Sequence, residues 1–290
     1  MLPTVVTGTA AQVEPTAAAK LGIVVLPLKV YVNNKEFQDG VDIQPGDLYR
    51  QMRIERLNVK TAAPSVGQYY QCFKTLLDQG VPEILCLTLS AKLSSDIVSA
   101  TDAAEMVRED YPDRRVVVYD TLRAAVPQGL LAVGAARRLA AGKSLDEVVT
   151  WLKGARFQSG LIAALDSLDY LAQGGRIGKA AYLVGGALQI IPILKINDEG
   201  VVAPATIVRK KTSILPTMVS MLQKQTPGFH DLQVAVMHAD DLERAEALKR
   251  LLLQTIPLTD IPILEFTPVM GAHTGPGLLG LGFLRDDGVE

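Results

Sequence analysis

Three short motifs and one glycine-framed histidine carry the side chains able to do chemistry. Near the C-terminus, Gly271-Ala272-His273-Thr274-Gly275-Pro276-Gly277 sets a single imidazole among small residues and a G-P-G turn. We place His273 on a loop, where binding and catalytic groups concentrate. Lys60-Thr61-Ala62-Ala63-Pro64-Ser65 presents the hydroxyl of Thr61 four positions before Ser65, which we read as a helix cap. Leu93-Ser94-Ser95-Asp96 lies between a buried strand and a helix. Such turns put short hydroxyls and free N–H groups at the carboxyl edge of a sheet, ready for an anion. Asp96 would repel an anion, so we expect it to cap the helix or face solvent.

The fourth segment, Gly174-Gly175-Arg176-Ile177-Gly178-Lys179-Ala180, turns tightly before Arg176. It fails as a phosphate loop, because the spacing from Gly174 to Gly178 is one short and Ala180 replaces the required hydroxyl. His230, His238 and His273 are scattered and the two cysteines, Cys72 and Cys86, are far apart, so no metal site is expected. There is no G-x-S-x-G elbow. We read His238-Ala239-Asp240-Asp241 as a strand end followed by a helix cap.

These groups need elements to hold them. Thr4–Thr7, Ile23–Val32, Glu83–Leu89 and Arg115–Tyr119 have the apolar runs of buried strands. Ser65–Gln79, Asp96–Glu109, Pro127–Ala140 and Ser144–Lys153 have helical patterns, and the alternation predicts a parallel sheet with helices on its faces. Beyond it, Phe157–Leu165 is predicted as a strand, and Ser167–Ala172 and Gly178–Leu188 as helices. Ile190–Ile196 and Val201–Val208 flank the turn Asn197-Asp198-Glu199-Gly200, so they form a hairpin. Thr212–Gln225 and Asp241–Leu253 read as helices, and Leu232–His238 and Ile263–Phe266 as strands. The expected fold is α/β: a parallel-sheet N-terminal domain, 1–155, and a mixed α/β C-terminal domain, 156–290.

The totals narrow the function. A net charge of -2 with 5% aromatic residues leaves no basic field and few stacking platforms, so nucleic acid is not an expected partner. The most apolar window, Ala181 to Leu194, is shorter than the ~20 residues of a membrane span and contains Pro192, so no stable membrane insertion is expected. Two cysteines in 290 residues and a start without a basic segment predict a cytoplasmic protein.

In order along the chain, Thr7-Gly8-Thr9, Phe37-Gln38-Asp39, Thr61-Ala62-Ala63-Pro64-Ser65, Leu93-Ser94-Ser95-Asp96 with Ser99-Ala100, Asp166-Ser167-Leu168-Asp169-Tyr170-Leu171, Gly174-Gly175-Arg176-Ile177 and the His273 segment are similar to motifs of the DegV family. The chain resembles that family, the fatty-acid-binding subunits of bacterial fatty acid kinase, along its whole length. The resemblance implies a long-chain fatty acid between two domains. It implies a carboxylate held by Thr61 and Ser94, and Arg176 and His273 near the head group. It also implies a separate ATP-binding kinase subunit that phosphorylates the acid, which makes this chain a carrier with no catalytic residue and no cofactor beyond its ligand. The chain departs from the family's T-D-S at Gly8, from T-S-Q-P-S at Ala62 and Ala63, and from L-S-G-T at Ser95 and Asp96. Two other readings stand beside the carrier: a small-substrate enzyme similar to the dihydroxyacetone kinases, and a regulatory module with a degenerate pocket.

Overall fold

The computed structural model describes all of residues 1–290 except 56, 185–189, 229–230 and 287–290. The chain opens with β1 (Thr4–Gly8), α1 (Pro15–Leu21), β2 (Val24–Leu26), β3 (Lys29–Val32), β4 (Lys35–Gln38), α2 (Pro45–Ile54) and β5 (Val59–Ala62). It continues through α3 (Val66–Asp78), β6 (Glu83–Thr88), α4 (Asp96–Asp110), β7 (Arg115–Asp120), α5 (Val126–Ala140) and α6 (Leu145–Ala155). Next come β8 (Ser159–Ala164), α7 (Asp169–Gln173), β9 (Ile191–Ile196), β10 (Val202–Val208) and α8 (Ile214–Gln225). The last elements are β11 (Leu232–His238), α9 (Leu242–Thr255), β12 (Ile263–Glu265), α10 (Pro268–Thr274) and β13 (Leu279–Arg285).

Three sheets result, with strand orders β2-β1-β6-β7, β10-β9-β8-β13-β11-β12 and β4-β3-β5. The first is wholly parallel. The second is antiparallel except for the β11–β12 pair, so it is mixed. The third is antiparallel. The expected α/β fold with one parallel and one mixed sheet is therefore present.

Alternation along the parallel strands divides their side chains between two layers. Val5, Leu85 and Leu87 pack with Leu131, Leu139 and Leu152 of α5 and α6. Val6, Ile84 and Cys86 pack with Tyr69 and Phe73 of α3 and Ala100 and Val107 of α4. One face of the mixed sheet, with Ile162, Val234 and Leu281, packs on Met218 and Leu222 of α8 and Leu248 and Leu252 of α9. Its other face, with Ala163, Leu194 and Met237, shares a core with Val30, Tyr49 and Val269 of the small sheet, α2 and α10. The site described below lies on that side.

Some expectations need correction. Ile23–Val32 is two strands in two sheets, β2 and β3, because Pro27 has no N–H to continue a ladder. The N–H of Leu28 goes instead to Thr9 Oγ1 at 3.1 Å. The strand expected from Phe157 begins at Ser159, after a short 3-10 turn over Arg156–Gln158. Of the helix expected over Gly178–Leu188, a 3-10 segment covers Gly178–Leu183, and positions 185–188 lie outside the described residues. The strands β4, β5 and the central β13, and the helices α1, α2 and α10, are additions to the predicted set.

The mixed sheet and the parallel sheet are stitched by buried polar groups. The Arg123 guanidinium, 1% exposed, donates to Ser159 O at 3.1 Å, Asn197 O at 3.2 Å and Asp198 at 3.1 Å. Ser90 Oγ donates to Gly200 O at 2.8 Å. The β9–β10 hairpin tip is thereby fixed against the loops at the carboxyl ends of β6 and β7.

Candidate functional site

His273 is not on a loop. It occupies the last turn of α10, which ends at Gly275 with φ +70°. A side chain at Gly275 would be strained and would meet the Tyr170 ring. The N-terminus of this helix is capped from far away: Asp39 Oδ1, at the end of β4, accepts the N–H of Val269 at 3.0 Å. Tyr49 of α2 donates to Phe266 O at 2.8 Å just before the helix. Two distant parts of the chain thus set the position of His273.

Thr61 lies on β5, paired with Val30 of β3. Its Oγ1 is 2.8 Å from His273 Nε2. Ser94 lies in the turn from β6 to α4, with its N–H bonded to Ser90 O at 3.2 Å. Ser94 Oγ accepts the N–H of Asp96 at 3.2 Å, which leaves the hydroxyl proton free to donate elsewhere. Arg176 joins the segments: its Nε donates to Leu93 O at 2.9 Å and its Nη1 to Gly174 O at 2.6 Å. Gly174 is required where it stands, since a Cβ there would come within 2.3 Å of His273 Nδ1.

All four predicted residues, Thr61, Ser94, Arg176 and His273, line one cavity with about 970 Å³ of empty space including its mouth. The rest of the wall is mainly apolar: Leu28, Leu89, Leu161, Leu165, Leu171, Leu194, Ile196, Phe266, Val269 and Leu278 among others. Ala10, Ala62, Ala63, Ala124 and Ala163 widen it. Lys195, Thr274 and Ser95 add polar groups that sequence reasoning did not assign to a site, and no carboxylate is among the described lining residues. An alternating strand such as Ile191–Ile196 signals a buried face, but it does not reveal which of its residues borders a void.

The electrostatics favour an anion. Burial, and then the nearby Arg176 charge, push His273 down to about 4, so the ring is neutral at neutral pH. A neutral imidazole has one donor and one acceptor nitrogen. Nδ1 is buried without a hydrogen-bond partner. Arg176 therefore carries the fixed positive charge beside His273, and the exposed Lys195 also lines the cavity.

Asp96 departs from expectation. It neither caps a helix nor meets solvent: it is the first residue of α4, 0% exposed, and turned away from the cavity. Tyr69 donates to its Oδ1 at 2.6 Å, and burial pushes its carboxyl up to about 6. Ser65 caps α3 as read, in a reciprocal pairing with Gln68. His238 ends β11 and accepts the Asp241 N–H at 3.2 Å, and Asp241 caps α9; none of these lines the cavity. Among the described residues, no cluster of three His, Cys, Asp or Glu is arranged for a metal, and no helix is long and apolar enough to cross a membrane.

The family model described as "Uncharacterised protein, DegV family" matches residues 4–286, and the chain belongs to that family. It is 31% identical over 282 residues to the DegV domain-containing protein CPE0026 of Clostridium perfringens, covering 97% of this chain and 96% of the relative. It is 32% identical over 278 residues to the DegV domain-containing protein SCO2569 of Streptomyces coelicolor, covering 96% of each. Its fold superimposes with a TM-score of 0.91 on a fatty-acid-binding DegV family protein from Thermus thermophilus, at 26% identity and covering 99% of this chain and 100% of that one. The same score, at 28% identity and 98% coverage of both chains, relates it to a stearic-acid-binding protein from Eubacterium ventriosum.

Proposed function

We propose that this chain binds a long-chain fatty acid in the cavity described above and presents its carboxylate to a separate ATP-binding kinase subunit, which converts it to an acyl phosphate. In this reading Thr61 and Ser94 donate to the carboxylate, Arg176 and His273 support it, and the tail lies between an N-terminal domain, 1–155, and a C-terminal domain, 156–290. The chain then supplies no catalytic group and carries no cofactor beyond its ligand. The observation that carries the reading is the lining: the hydroxyls of Thr61 and Ser94, a guanidinium and a neutral imidazole in one cavity whose remaining wall is mainly apolar, with no carboxylate among the described lining residues.

The energetics suit such a ligand. Each buried methylene contributes roughly 0.8 kcal/mol, so a tail of about 14 contributes about 11 kcal/mol, against association costs of roughly 4–15 kcal/mol. Tail burial drives binding, and the head group needs donors because an unmet buried carboxylate is costly. The extent of apolar wall disfavours a small polar substrate of the dihydroxyacetone-kinase kind, and the open cavity disfavours a degenerate pocket. Native mass spectrometry of freshly purified protein, followed by extraction and identification of the ligand, tests the reading. A stoichiometric adduct of fatty-acid mass is expected. A ligand-free protein that also refuses added fatty acids refutes it.

A further inference from the structure

The parallel sheet ends at β7, and that edge is open. Among the described residues β7 pairs with β6 on one side and with no strand on the other. Along a parallel strand the backbone groups of successive residues alternate between its two sides. The Thr121 N–H, just past β7, donates to Thr88 O of β6 at 3.3 Å, so the odd-numbered positions face inward. Val116 and Val118 therefore turn their N–H and C=O groups outward, and among the described residues neither has a backbone partner on that side. Their side chains are half-buried against the core that α3 and α4 cover. With Thr101, Ala104 and Val107 of α4 they line a groove with about 700 Å³ of space including its open side. No residue lining this groove lines the cavity of the candidate site. Free ladder groups beside an apolar trough are what an extended segment needs to join a sheet.

The charge around the groove selects the segment. Arg108, Arg114 and Arg115 line it, against the one carboxylate of Glu105 among the described lining residues. This is a local departure in a chain whose net charge is -2. Arg115 is already held, by Asp146 at 3.0 and 2.5 Å and by Glu83 at 3.7 Å. Arg108 and Arg114 are exposed and have no ion pair or hydrogen bond among the described residues. Charges of one sign along an edge turn away strands of the same sign. A second copy would bring the same arginines with it, so they act against self-pairing and leave the edge open to a strand rich in Asp or Glu. We propose that the β7 edge is a docking site for an extended, acidic segment of another protein. The segment joins the parallel sheet as a further strand, with carboxylates beside Arg108 and Arg114 and apolar side chains over Val116 and Val118.

The probe is a fluorescein-labelled peptide of two glutamates followed by alternating valine and threonine, used in both sequence directions and titrated with the full chain by fluorescence anisotropy. Saturable binding of one direction is expected, weakening as salt is added. Amide hydrogen exchange at Val116 and Val118 should slow when the peptide is bound. Arg108→Glu combined with Arg114→Glu should weaken binding roughly tenfold or more, since two attractions become two repulsions. Both positions are exposed, so the thermal melt of this variant should match wild type. Of two N-methylated copies, one methylated at the valines and one at the threonines, the copy whose methyl groups face β7 should not bind. Failure of both directions to bind overturns the inference. Equal binding of a peptide with lysines in place of the glutamates, or of both N-methylated copies, also overturns it. Concentration-dependent self-association that the double variant abolishes assigns the edge to a second copy and overturns it as well.

Discussion

Ser94→Ala separates the head-group reading from a merely structural role for this turn. In the structure the Ser94 hydroxyl accepts one N–H, that of Asp96, and its proton is free to donate into the cavity. The substitution removes two interactions. Losing the acceptor for the Asp96 N–H weakens the start of α4 by about 1 kcal/mol, the usual cost of a lost cap. That loss is common to the empty and loaded forms, so it lowers Tm and cancels in Kd. Losing the donor is felt only when a carboxylate is present, and a hydrogen bond to a charged group contributes about 1.5–3 kcal/mol. Kd should therefore weaken by roughly 10- to 150-fold. The assay is displacement of a fluorescent fatty acid, with thermal melts of the empty protein alongside. Ser95→Ala is the control: Ser95 lines the same cavity but caps nothing with its side chain, so its effect should be smaller. An unchanged Kd for Ser94→Ala with the expected drop in Tm refutes the head-group assignment.

Three further outcomes are expected. Gly174→Ala drives a methyl into His273 Nδ1 and should weaken fatty-acid binding at least tenfold, a loss of about 1.4 kcal/mol, while far-ultraviolet circular dichroism stays unchanged; native affinity in this variant contradicts the close approach. Asp96→Asn should raise stability above neutral pH, because lifting the carboxyl from 3.8 to about 6 in the folded state corresponds to roughly 3 kcal/mol of destabilisation once it ionises. Since a raised folded-state pKa gives stability below the unfolded value that disappears as pH rises through the folded one, the Tm advantage of the variant should vanish below about pH 4 and be fully present above about pH 6. Arg138→Met breaks a buried ion pair with Asp286, 2.6 Å apart, and strips a cation from the Trp151 ring at 3.9 Å; it should cost about 3–5 kcal/mol in urea unfolding, and a loss below 1 kcal/mol would show that Asp286 finds water instead.

What was legible in the sequence was whatever is encoded locally. The apolar runs of β6 and β7, the amphipathic α3 and the two capping boxes at Ser65 and Ser144 are short-range patterns, and each places its element within a few residues. Glu14-Pro15 and Gln44-Pro45 open α1 and α2 with proline at the first helical position, a local start signal that the periodicity did not weigh. The glycines of Leu279-Gly280-Leu281-Gly282 disguised β13, because glycine weakens a strand pattern in isolation, although here it lets the strand pack centrally between β8 and β11.

The setting of His273 was illegible for a different reason. Seven residues followed by G-P-G are too short to be a stable helix by propensity alone, and Thr267 makes no side-chain cap. What makes α10 a helix is tertiary: Asp39 supplies the missing cap across 230 positions of sequence, and Tyr49 anchors the segment from 217 positions away. The Phe37-Gln38-Asp39 motif was visible as letters, but its role exists only once β4 lies against α10. The same nonlocality turns Asp96 from an ordinary helix-start acid into a buried one, since the group that donates to it, Tyr69, belongs to another helix. The side chains that line the cavity are therefore easier to name from sequence than the side chains that set their charge and direction, because the latter act across long stretches of sequence.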